Sequence, residues 1–84
     1  MSYRIRFTRQ AAKDVKKLSP KLQDKLKDIL RNQLAVEPRS GKTLVGSLKG
    51  YYSVRLSYKD RIVYSIDDRD LVVLVIRART HYGD

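Results

Sequence analysis

The chain has no cysteine, no tryptophan, one methionine and one histidine. Without cysteine, neither a disulfide framework nor a thiolate zinc site can form, which suits a reducing compartment. A single histidine leaves mainly carboxylates as metal ligands. The clustered ones, Asp67, Asp68 and Asp70, read as solvated turn formers, so the sequence predicts no metal and no cofactor. A Walker-type or dinucleotide-binding glycine pattern is missing, as is a defensible serine-histidine-aspartate set. Long apolar runs are also absent. The longest, Leu71–Ile76, has six residues, far below the roughly 20 that a membrane-spanning helix needs. The opening Tyr3-Arg4-Ile5-Arg6-Phe7 alternates rather than staying apolar. The expectation is therefore no conventional signal peptide, no membrane association and a cytoplasmic location.

Acid is scarce as well. Nineteen Lys and Arg face nine Asp and Glu, for a formal charge of +10 on 84 residues. Such an excess attracts polyanions: nucleic acid, an acidic partner protein or an anionic surface. No amphipathic membrane helix competes, so nucleic acid or ribosome contact is the leading explanation, against a merely soluble basic domain. The length predicts a single domain over residues 1–84, with a thin core that removes roughly 60–65% of the unfolded surface from water.

Tyr3, Ile5 and Phe7 alternate with Arg4 and Arg6, the period of a strand with one apolar face. Thr8 then fits an N-cap, and Ala11, Ala12, Val15 and Leu18 follow at helical spacing. Ser19-Pro20 restarts the helix as cap and first turn. Leu22, Leu26, Ile29, Leu30 and Leu34 share one face of a second helix reaching about Val36, where Pro38 stops it. The two helices predict a hairpin lying on a sheet. Residues 37–50 carry Gly41, Gly46, Gly50 and Lys49 and read as a surface connector, in which Lys49 is either a candidate RNA contact or a solvated lysine.

Two alternating strands follow, around Tyr52–Tyr58 and Ile62–Ile66, then the buried-type strand Leu71–Ile76. The expected fold is α+β: a small, mostly antiparallel four-stranded sheet with an N-terminal strand and a helix hairpin on one face. Opposed residues must share a face. A three-residue loop at 58–60 pairs Leu56 with Ile62 and Ser57 with Arg61. A loop at 68–70 pairs Tyr64 with Leu74 and Arg61 with Arg77. This register predicts Arg55, Arg61 and Arg77 on one face, extended by Arg79. Like charges so placed repel by roughly 1 kcal/mol per close pair. Either an anionic guest relieves this, or each arginine is independently solvated.

Beside these arginines stand His81 and Tyr82. A histidine titrating near pH 6.5 can move protons, and a tyrosine can stack on a base or bond a phosphate. The bland alternatives are an exposed bystander and a ring packed against the sheet. Metal-free RNA cleavage suits this inventory. RNA supplies its own 2′-hydroxyl nucleophile, arginines can neutralise the phosphorane-like transition state, and a histidine can protonate the leaving 5′-oxygen.

Three further pieces carry a family resemblance: Leu48-Lys49-Gly50-Tyr51-Tyr52, Arg61-Ile62-Val63-Tyr64 and the closing Arg79-Thr80-His81-Tyr82. With the order of elements, they make nearly the whole chain resemble the RelE/ParE toxin superfamily, the ending being most like its YoeB/Txe branch. The resemblance implies a toxin of a type II toxin–antitoxin pair that cleaves mRNA on the ribosome without a metal. Its partners would be a cognate antitoxin, the ribosome and mRNA, with DNA met only through the antitoxin complex. Arg61 would stabilise the transition state, His81 would be the general acid and Tyr82 would orient the nucleotide, with Lys49, Arg55, Arg77 and Arg79 contacting RNA. The YoeB branch places a glutamate, as general base, in the loop before Leu-x-Gly; here Lys42 lies near that place, and Glu37 is the chain's lone glutamate. Glu37 is then either the base or an ordinary helix-terminating residue. A ParE-like inhibitor of DNA gyrase, which cleaves no RNA, is the alternative on the same fold.

Overall fold

The computed structural model describes residues 2–78. Its order is β1 (Arg4–Phe7), α1 (Arg9–Lys16), α2 (Pro20–Ile29), β2 (Lys42–Thr43), β3 (Tyr52–Arg55), β4 (Arg61–Asp67) and β5 (Val72–Arg77). The strands form one mixed sheet in the order β1-β5-β4-β3-β2. β1 runs parallel to β5, and the remaining neighbours are antiparallel. The α+β class and the helix hairpin are as the sequence predicts, but the described sheet has five strands rather than four. The extra one, β2, has only two residues, too few for alternation to announce it.

Both helix starts rest on their predicted caps. The Thr8 hydroxyl accepts from the Ala11 amide at 3.1 Å, and the Ser19 hydroxyl accepts from the Leu22 amide at 3.3 Å. α2 does not stop at Ile29. It continues as a π-helical turn, Leu30–Leu34, closed by the Ala35 amide donating to the Leu30 carbonyl at 2.8 Å. That wide turn keeps Leu30, Leu34 and Ala35 all buried. It also lets the Ala35 carbonyl accept from the Tyr3 amide at 2.7 Å, fastening the helix end to the start of β1.

The core lies between the hairpin and one sheet face. Ala11, Leu18, Leu26, Leu30 and Leu34 meet Ile62, Tyr64, Val73 and Val75. Tyr52 stacks on Tyr64 across β3 and β4, with ring centroids 5.6 Å apart. The Tyr64 hydroxyl donates to the Pro38 carbonyl at 2.6 Å, pinning the 38–41 segment over the sheet. Burial pushes this phenol up to about 12. A raised tyrosine pKa contributes stability that is complete below the unfolded value near 10 and is lost as pH climbs through the folded value. Urea unfolding between pH 9 and 12 should therefore show a falling midpoint that is shallower in Tyr64→Phe. An identical slope in the two proteins would contradict this.

Two register expectations are corrected. The β3–β4 loop has five residues, not three, because Ser57 and Asp60 close on each other. The Ser57 hydroxyl donates to the Asp60 carboxylate at 3.0 Å and accepts from the Asp60 amide at 3.1 Å. Arg55 therefore stands opposite Arg61, and Val54 opposite Ile62. A two-residue slip preserves faces, so the side-chain assignment survives. At β4–β5 the expected pairing of Tyr64 with Leu74 fails. The turn takes an additional residue, Leu71, in the left-handed region at φ 55. Tyr64 pairs with Val75, and a bulge between Val63 and Tyr64 then sets Val63, not Arg61, opposite Arg77. Asp68 is no simple turn former either. It accepts from Arg39 through two contacts and from the Tyr3 hydroxyl at 2.6 Å, and these partners hold its carboxyl down at about 2.

Candidate active site

Alternation along β3 and β4 sends Tyr52, Val54, Ile62 and Tyr64 toward the helices. The intervening residues face the other way. Ser53 and Arg55 are two apart on β3, Lys42 stands opposite Ser53, and Arg61 stands opposite Arg55. These four side chains line one depression of about 170 Å³. Ser53 is buried at its floor, while Lys42, Arg55 and Arg61 are exposed around it. Cations directly opposed across strands are mutually destabilising. Three of them around one concavity make a receptor for an anion with several oxygens, since two planar guanidinium forks can each hold a pair.

The structure brings together Arg55 and Arg61, as expected, but not Arg77. At the bulge Arg77 follows Val73 and Val75 toward the helix side, where its Nε donates to the Asp14 carboxylate at 2.8 Å. This corrects the prediction of three aligned arginines: the added turn residue Leu71 shifts β5 by one, pairing Tyr64 with Val75, and a one-residue shift moves the odd-numbered β5 side chains to the helix side. Lys49 is exposed after the short turn Gly46–Leu48 and does not line the depression. Glu37 sits before Pro38 and lines a separate shallow hollow with Tyr3, Val36 and Arg39, so it is not beside the arginines. Arg79, His81 and Tyr82 lie outside the described residues.

The residues missed by sequence reasoning are Lys42 and Ser53. Ser53 carried a signal, because it alternates with Arg55 on the wet side of β3. Lys42 carried almost none, since two residues of strand have no readable period. Of the four lining side chains, Lys42 is the one whose nitrogen can exchange a proton with a substrate, because guanidinium groups stay charged in proteins. Among the described residues, no three His, Cys, Asp or Glu side chains come together as a metal cluster. No helix there is long and apolar enough to cross a membrane.

A family profile described as the ParE toxin of the type II toxin–antitoxin system parDE matches residues 5–82. The toxin RelG of Mycobacterium tuberculosis is 36% identical over 79 residues, covering 93% of this chain and 90% of RelG. Solved structures give the same picture. A chain of the toxin–antitoxin complex RelBE2 from Mycobacterium tuberculosis superposes with a TM-score of 0.85 at 33% identity, covering 96% of this chain and 100% of that one. The YoeB/ParE toxin from Agrobacterium tumefaciens follows with a TM-score of 0.84 at 26% identity, over 94% and 99% of the two chains.

Proposed function

This chain belongs to the RelE/ParE superfamily of toxins from type II toxin–antitoxin systems, and on that premise we propose that it is an endoribonuclease that cuts mRNA on the ribosome. The observation that supports this reading is the depression lined by Lys42, Ser53, Arg55 and Arg61, with Arg55 and Arg61 directly opposed. Opposed like charges in a concavity are relieved by an anionic guest, and a phosphate diester presents oxygens in pairs that two guanidinium forks can hold.

The chemistry follows from the side chains. Arg55 and Arg61 hold the non-bridging oxygens of the scissile phosphate and stabilise the charge that grows on them. The Lys42 nitrogen takes the proton of the 2′-hydroxyl as that oxygen bonds to phosphorus. The bond from phosphorus to the 5′-oxygen breaks, and His81 supplies the proton that this oxygen needs. Tyr82 stacks on a neighbouring base. The products are a 2′,3′-cyclic phosphate and a 5′-hydroxyl, and every atom and proton is accounted for without a cofactor. Lys42 thus occupies the role left open by the missing glutamate. Lys49 and Arg79 contribute phosphate contacts along the strand, and Arg77 acts through the contact it makes with α1.

The partners on this reading are a cognate antitoxin, as RelBE2 is described as a toxin–antitoxin complex, and the translating ribosome in the cytoplasm. Primer extension on an mRNA, with and without ribosomes, tests the reading. Wild type should produce discrete cuts with 5′-hydroxyl ends when ribosomes are present, and His81→Ala should slow them. Intact mRNA accompanied by gyrase-dependent DNA breaks would replace this reading with the gyrase inhibitor.

A further inference from the structure

Among the described residues, Asp14 and Ser53 are the buried polar side chains, each at 4% exposure. Asp14 is fully satisfied. Its carboxylate accepts from Gln10 Nε2 at 3.0 Å, Arg77 Nε at 2.8 Å and the Ala78 amide at 3.2 Å. Ser53 is the opposite case. Its hydroxyl has no hydrogen-bond partner among the described residues. Less buried serines do better: the Ser40 hydroxyl accepts from Gln33 Nε2 at 3.0 Å, and the Ser57 hydroxyl donates to the Asp60 carboxylate at 3.0 Å. Buried hydroxyls are paired in the large majority of cases, and an unpaired one destabilises the fold that holds it. The chemistry set out above gives Ser53 no task that would offset this.

The surroundings explain why the hydroxyl is unpaired. Ser53 stands opposite Lys42 on β2 and Val63 on β4, and two residues before Arg55 on its own strand. With Arg61, the two cations complete the rim of the depression that Ser53 floors. Valine has no polar atom, and lysine and arginine side chains carry donors but no acceptor. The four lining side chains therefore present a crowd of donors, and the serine proton has nothing beside it to bond. An acceptor has to come from outside. The ladder on both sides of Ser53 fixes its backbone, so the donor is in place before a guest arrives and needs no rearrangement to meet it. A neutral hydroxyl also adds a donor without adding to the repulsion between Arg55 and Arg61.

We propose that Ser53 is a catalytic residue whose hydroxyl donates to a non-bridging oxygen of the scissile phosphodiester, sharing those oxygens with Arg55 and Arg61. This inference rests on the ribonuclease reading above and deepens it. Ser53 forms no covalent bond and keeps its proton throughout. As the 2′-oxygen bonds to phosphorus, negative charge grows on the non-bridging oxygens, and the hydrogen bond from Ser53 strengthens with it.

The test compares wild type, Ser53→Ala and Ser53→Thr for cleavage of mRNA on programmed ribosomes, with thermal unfolding of the same samples. In Ser53→Ala, kcat should fall by about tenfold to a hundredfold with KM within about threefold, because the lost donor acts on developing charge. Its melting temperature should equal or exceed that of wild type, because a buried hydroxyl without a partner has been removed. Threonine keeps the hydroxyl and suits a strand, so Ser53→Thr should recover part of the rate. A second arm needs no cleavage. A dinucleoside phosphate with a 2′-deoxy sugar, which lacks the nucleophile, is titrated into wild type, and the Ser53 hydroxyl proton is followed by NMR. It should move downfield as the phosphate oxygen accepts from it. Unchanged kcat in folded Ser53→Ala would overturn the proposal. So would a rate loss that tracks the unfolded fraction, or a hydroxyl signal that stays put while those of Arg55 and Arg61 shift. If wild type cleaves no RNA, the ribonuclease reading falls and takes the catalytic role of Ser53 with it. The titration still shows separately whether a phosphodiester bonds to this hydroxyl.

Discussion

Replacing Arg61 with alanine should lower single-turnover RNA cleavage by about a hundredfold to a thousandfold, the usual effect of removing a group that meets developing charge. The melting temperature should stay the same or rise slightly. Arg61 is exposed, and its cross-strand neighbour is another arginine, so the folded protein loses a repulsion rather than a contact. Arg61→Lys should recover only part of the activity, because an ammonium keeps the charge but not the two-pronged donor geometry. Rapid-quench cleavage on ribosomes, run beside a thermal melt, separates the two quantities. Full activity in Arg61→Ala would remove the depression from the mechanism. A loss of activity matched by a loss of fold would reassign Arg61 to structure.

The second large effect is expected at Gly41. Its backbone lies at φ −76 and ψ 171, which any residue can adopt. What requires glycine is proximity. A Cβ there would lie 2.2 Å from the Tyr64 hydroxyl and 3.0 Å from the Ser53 carbonyl. Both neighbours are held, the phenol by the Pro38 carbonyl and Ser53 by the β2–β3 pairing. Gly41→Ala should cost about 1–3 kcal/mol, as overpacking does, or several degrees in melting temperature for a domain of this size. It should also impair cleavage, because the displaced residue next in line is Lys42. Adding Tyr64→Phe removes the nearest clashing atom. The double mutant should then be more stable than the sum of the single changes predicts, by at least about 0.5 kcal/mol. Strict additivity in chemical denaturation would show that the clash is relieved elsewhere.

The sequence carried the parts of this fold that rest on local periodicity. Thr8 and Ser19-Pro20 announced two helix starts, and the alternation of Tyr52, Val54, Ile62 and Tyr64 sorted β3 and β4 into two faces. Arg55 and Arg61 were legible as a pair for that reason. A slip of two residues in the loop could not change their side. The added turn residue, Leu71, was not legible, because nothing in an apolar run marks where the turn ends and the strand begins. That single residue redirected Arg77. Lys42 was hidden by the brevity of β2. Asp14 carries no signal in the sequence, because its partners Arg77 and Ala78 are more than 60 positions away and only the folded chain brings them to it.

The parallel pairing of β1 with β5 also dictates when this protein can become itself. β1 spans residues 4–7 and β5 spans 72–77, so the sheet's second strand is made after every other described element. Until then β1 has no neighbour, β4 lacks one edge, and Asp14 has neither Arg77 nor Ala78 to hold. Contacts this distant along the chain form late and cost loop-closure entropy before they stabilise anything. A ribosome synthesising this toxin is therefore handling an unassembled sheet for nearly the whole of translation. The topology withholds the assembled sheet until the chain is almost complete.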